Sequence, residues 1–150
     1  MTISNSARTS ILRALAEAFK IIDGTGDYKT NLYSNSFPKL KFWDEVTNFP
    51  AIYMSAGSES REYLPGSFKW GFLGISLKLY VRGEDPSLLL EELLEDVERV
   101  LDANRTLVYD VNTPGAQTVE ILINSIVTDE GLLEPHGVGE VNIIVQYPVL

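Results

Sequence analysis

The chain is expected to fold as an α+β protein, with a mainly antiparallel sheet of four to five strands and two main helices packed on one face. Three features of the 150-residue sequence point there. Two segments repeat apolar residues at helical spacing, while four others alternate or run apolar as strands do. Their order is helix, strand, strand, helix, strand, strand. Pairs of strands between helices favour hairpins, and hairpins favour an antiparallel sheet with helices on one side. No linker divides the sequence, so residues 1–150 read as one domain of ordinary size.

The first helix is expected over Ala7 to Ile22. Ile11, Leu12, Leu15, Ala18, Phe19 and Ile22 form its apolar stripe, with Arg13, Glu17 and Lys20 off it. Ser4 or Ser6 can cap its start, and Asp23-Gly24 is a left-handed stop. Residues 27–48 then read as extended or loop, rich in aromatics (Tyr28, Tyr33, Phe37, Phe42, Trp43) and holding Lys29, Lys39 and Lys41. A short strand is expected from Pro50 to Ala56, ended by Gly57-Ser58.

Phe68 to Arg82 is the longest strand candidate. Ile75, Leu77, Leu79 and Val81 face one way, and Ser76, Lys78, Tyr80 and Arg82 the other. Gly83 breaks it, Asp85 caps the second helix, and Pro86 takes its first position. Leu90, Leu93, Leu94, Val97, Val100 and Leu101 form the core stripe of that helix. Glu91, Glu92, Glu95, Asp96, Glu98 and Asp102 are expected on the solvated opposite face, with Glu95 and Arg99 as a weak i,i+4 pair. Thr113-Pro114-Gly115 is a turn. Val119, Ile121 and Ile123 open a strand running to Thr128, and Val138 to Tyr147 is the last strand.

Charge is distributed unevenly. The first 83 residues carry ten Lys/Arg and seven Asp/Glu, whereas the remaining 67 carry two and fourteen. The resulting net charge of −9 repels nucleic acid and anionic membranes. A mildly basic half and a strongly acidic half suit head-to-tail contacts between copies. The absence of cysteine excludes disulfides, thiolate metal sites and cysteine nucleophiles. No apolar run approaches the length of a membrane span, and the first ten residues do not read as a secretory signal, so the default compartment is a cytoplasm.

No catalytic constellation emerges. His136, the single histidine, is flanked by Pro135 and Gly137 and reads as an exposed loop residue. Gly24-Thr25-Gly26 lacks the following Gly-Lys-Ser/Thr of a phosphate loop and reads as a helix-ending turn. Asp110 to Thr113 has too few carboxylates for a calcium loop. The aromatics and lysines of residues 28–43 could stack single-stranded nucleic acid, but Asp27, Asp44 and Glu45 offset the lysines. An interface arm is the better reading, since aromatics are enriched at protein contacts. No cofactor and no metal are expected.

The order of elements resembles the tail terminator, or tail completion, proteins of tailed bacteriophages. The resemblance is carried by the opening helix and then by Phe42-Trp43-Asp44-Glu45-Val46-Thr47-Asn48-Phe49-Pro50-Ala51-Ile52-Tyr53. The long strand from Gly66 to Arg82, the acidic helix from Ser87 to Leu101 and the closing Val145-Gln146-Tyr147-Pro148 complete it. It implies a structural, non-enzymatic subunit of the virion, assembled in the host cytoplasm and placed at the head-proximal end of the tail. Such a subunit forms a hexameric ring that ends tube polymerisation and docks the head connector, and in contractile tails it also meets the sheath. DNA would cross the ring unbound, past an acidic face contributed by Glu84 to Asp102. Candidate interface residues are Lys39, Lys41, Trp43, Arg61, Tyr63, Trp70, Glu91, Glu95 and Glu98. The alternatives are a neck or connector protein of the same region, a small ligand-binding protein or enzyme, and a nucleic-acid binder.

Overall fold

The structure is a computed structural model describing residues 6–150. Ser6 caps the first helix, α1 (Ala7–Phe19), by accepting the Thr9 N–H at 3.2 Å. Ser4, the alternative cap, lies outside the described residues. Ile11, Leu15 and Phe19 recur every four residues and are buried. Regular α-helix ends three residues earlier than the apolar stripe suggests. The N–H groups of Lys20, Ile21 and Ile22 instead bond three residues back, a tightened last turn that still buries Ile22.

One five-stranded sheet follows, formed by β1 (Ser36–Phe37), β2 (Ala51–Leu64), β3 (Phe68–Arg82), β4 (Glu120–Thr128) and β5 (His136–Pro148), in the spatial order β1-β2-β3-β5-β4. Among the described residues only the β1–β2 pairing is parallel. The helix α2 (Pro86–Ala103) connects β3 to the far edge strand β4. Asp85 caps it by accepting the Leu88 N–H at 3.2 Å.

Both helices bury their apolar stripes on one face of the sheet. Phe19, Leu15, Val97 and Val100 pack there against Ile52, Met54, Leu77, Leu79, Val141 and Ile143. The inward positions assigned from periodicity, Ile75, Leu77, Leu79, Val141, Ile143 and Val145, are all buried. On the opposite face, the described residues form a cover at one end. There residues 38–50, including the 3₁₀ turn Trp43–Glu45, bury Val46 against Ala51, Tyr53 and Tyr80.

The short strand expected from Pro50 to Ala56 is instead fourteen residues long, ending at Leu64. Gly57 and Ser58 do not stop it, because they are absorbed as a bulge between Ala56 and Glu59. Gly74 on β3 makes this possible: a Cβ there would sit 3.2 Å from the Ser58 carbonyl oxygen. Beyond the bulge, β2 and β3 continue as a hairpin whose tip, Pro65-Gly66-Ser67, needs the positive φ of 80° that Gly66 adopts. The strand from Val119 is likewise irregular, with a bulge between Ile123 and Ser125.

Candidate functional site

The nine candidate interface residues fall on three separate surfaces. Lys39, Lys41 and Trp43 belong to the segment crossing the second sheet face. Sheet partners hold this segment: the Met54 N–H donates to the Lys39 carbonyl at 3.0 Å, and the Tyr80 hydroxyl donates to the Lys41 carbonyl at 2.6 Å. Several of its aromatics are therefore structural. Phe37 stacks on Tyr53 with centroids 5.0 Å apart, and Trp43 meets the edge of His136 at 5.3 Å. His136 is thus half-buried at the start of β5 between Trp43 and Phe49, not an exposed loop residue. What remains outward is an open groove of about 370 Å³ lined by Leu40, Lys41, Phe42, Trp43 and Tyr80, with Phe42 74% exposed.

Arg61, Tyr63 and Trp70 lie on the β2–β3 hairpin, at the opposite end of the sheet. Tyr63 is 73% exposed, with the Lys69 Nζ 5.8 Å from its ring centre, and Phe68 beside the tip is also exposed. The root of the hairpin is held by Glu59, whose side chain is nearly inaccessible. Its carboxylate accepts from the Tyr147 hydroxyl at 2.7 Å and pairs with Arg61. Burial, followed by that carboxylate, pushes the Tyr147 phenol up to about 12.

Glu91, Glu95 and Glu98 line the outer face of α2 as expected. Asp96 does not join them. It is completely buried and accepts the N–H groups of Lys29 and Thr30 at 3.1 and 2.8 Å. Those two donors, with no helix or strand partner of their own, explain a buried carboxylate that helical spacing placed in solvent. Glu95 pairs with Lys29 at 2.7 Å in place of the expected Arg99. The Lys29 hydrogen bond and charge hold the Glu95 carboxyl below its ordinary value. Part of the complementarity between basic and acidic halves is therefore satisfied within one copy, here and at Lys78–Glu140, 2.8 Å apart.

Sequence reasoning passed over Glu59 and the outer flank of β4, where Leu122, Ile126 and Val127 are exposed. The alternation around Ile121 placed Leu122 outward and could have signalled that flank. Among the described residues, no three or more His, Cys, Asp or Glu side chains converge as a metal site, and no helix is long and apolar enough to cross a membrane. The surfaces are built for contact: apolar or aromatic patches rimmed by charge, on a rigid sheet.

A family model described as bacteriophage tail tube terminator protein matches residues 5–149. This chain belongs to the bacteriophage tail tube terminator family. It is 34% identical over 149 residues to the tail tube terminator protein p142 of Escherichia phage T5, covering 93% of this chain and 92% of that protein. A chain from the virion of a native gene transfer agent particle superposes with a TM-score of 0.59 at 10% identity, over 97% of this chain and 100% of the other. That likeness concerns the fold alone. Membership makes this terminator a structural protein of the bacteriophage virion, in agreement with the resemblance read from residues 42–53 and the closing strand.

Proposed function

We propose that six copies of this terminator form a ring at the head-proximal end of the tail tube, halting tube polymerisation and presenting a docking face to the neck or connector. The family match across nearly the whole chain carries this reading. The geometry supports it, because the exposed hairpin and the Leu40–Trp43 groove lie at opposite ends of one sheet. A subunit in such a ring needs different surfaces for its neighbour, the tube and the connector, and Lys39, Lys41, Trp43, Arg61, Tyr63 and Trp70 supply two of them. In a contractile tail the sheath would be a further neighbour. The acidic face of α2, with Glu91, Glu95 and Glu98, is the surface suited to border the DNA passage, since carboxylates repel phosphates. No step in this role requires a bond to be made or broken.

Deleting the gene and imaging the tails by electron microscopy tests the reading. Overlong, headless tails are the expected result, with normal length restored by the gene in trans. Tails of normal length from the deletion overturn it.

A further inference from the structure

We propose that the free edge of β2 in one copy, Ser58–Leu64, adds as an antiparallel strand to the free edge of β4 in the next copy. This rests on the ring reading above and specifies its subunit contact. Both edges are open for the same topological reason. β1 covers only Ile52 and Tyr53 of β2, and the Gly57 carbonyl is taken by Arg8, so from Ser58 onward no strand flanks β2 among the described residues. β4 closes the other side of the sheet, and no described strand lies beyond it.

Apart from its bulge at Ile123–Ser125, the β4 edge lacks the usual defences. Sheet edges are normally blunted with lysines, prolines or extreme shortness. β4 runs nine residues with no Lys, Arg or Pro. Its single charged residue, Glu120, is paired with Arg105 at 2.8 Å, and Leu122 and Val127 are 50% and 54% exposed. Such a strand invites pairing with another chain.

Polarity matches, and the two edges overlap in height where Glu59 and Ser60 stand level with Ile121 and Glu120. β2, β3, β5 and β4 alternate in direction, so a β2 placed beside β4 continues the antiparallel pattern. Ser60 is level with Glu120 through Phe72 and Gln146, and their side chains share one sheet face. The two edges are different and sit on opposite sides of the sheet. The contact is therefore heterologous, the kind that closes into a ring. For Arg61–Leu64 to pair as well, the hairpin is shifted along β4 by a stagger of the kind that strand tilt imposes in closed barrels.

Disulfide trapping in assembled tails tests this, helped by the absence of native cysteine. Leu122→Cys is combined in turn with Ser58→Cys, Ser60→Cys and Glu62→Cys, positions on the same face. Within one copy β2 and β4 are separated by two strands, about 14 Å across, which is too far for a disulfide. At least one pair should give a reducible ladder of terminator multimers on oxidation, with neither single variant doing so. If none of the three pairs links copies in tails of normal length, the edge contact is wrong while the ring reading stands. A link to the tube subunit, identified by mass, likewise overturns it. Hydrogen exchange of the unaltered protein guards against variants that misfold. Peptides from 58–64 and 120–127 should exchange at least tenfold more slowly in tails than in the free protein, and equal rates refute the contact.

Discussion

The carboxylate of Asp96, on α2, accepts the backbone N–H of Thr30 at 2.8 Å across 66 positions of chain. With the second bond from Lys29 it ties the segment after α1 to the second helix. Hydrogen bonds to a charged group contribute about 1.5–3 kcal/mol, and a buried donor left unpaired is costly. Asp96→Ala should therefore destabilise the fold by about 3 kcal/mol in urea unfolding at neutral pH, and Asp96→Asn by less. A loss under about 0.5 kcal/mol would show that the latch is idle.

The hairpin root makes a pH-dependent contribution of definite sign. The Tyr147 phenol is raised to about 12 in the fold, against an ordinary value of 10.0. Its favourable contribution is complete below pH 10, where both folded and unfolded chains hold the proton. It is lost as pH rises from 10 to 12, because the unfolded chain then releases the proton first. The urea midpoint should fall between pH 9.5 and 11.5 more in the native protein than in Tyr147→Phe. In Glu59→Gln the Tyr147 titration, followed by phenolate absorbance against Tyr147→Phe, should move down because no carboxylate opposes ionisation. An unchanged titration would remove Glu59 from the account.

Gly71 faces Tyr147 directly across the β3–β5 ladder. A Cβ at Gly71 would lie 2.6 Å from the Tyr147 ring, so the strand keeps glycine to seat that ring. Gly71→Ala should cost about 1–3 kcal/mol through overpacking at this root. A thermal melt indistinguishable from the native one would contradict this packing.

Reversing the acidic face of α2 separates assembly from folding. Glu91 and Glu98 have no ion pair among those formed by the described residues, whereas Glu95 gives up only an exposed, solvent-screened pair with Lys29. Glu91→Lys, Glu95→Lys and Glu98→Lys together should lower Tm by only a few degrees, yet reduce infectious particles at least tenfold. Full infectivity with the folded triple variant would strip this face of its role.

How much was legible from sequence varies with how local the signal is. The α1 stripe, the Asp85-Pro86 entry to α2 and the alternation from Ile75 onward each report an environment repeated every few residues, and each was read correctly. The end of β2 was misread. Gly57-Ser58 carries a local breaker signal, but whether it stops a strand or bulges it depends on Gly74, seventeen positions away in sequence and adjacent in space. Asp96 and His136 were misplaced for the same reason. Helical spacing put a carboxylate outside, and flanking proline and glycine put an imidazole in a loop, while the partners that bury them come from distant segments.

By itself the sequence determined the α+β class, both helices, the apolar face of the sheet and, through the segment around residues 42–53, the family. Those follow from short-range periodicity and local motifs, which one chain displays without folding. Only the tertiary structure decided that β2 reaches Leu64, that Asp96 and Glu59 are buried latches, and that two unlike sheet edges stand open on opposite sides. These depend on which remote backbone groups and side chains meet once the sheet is assembled, and no window of sequence contains that information.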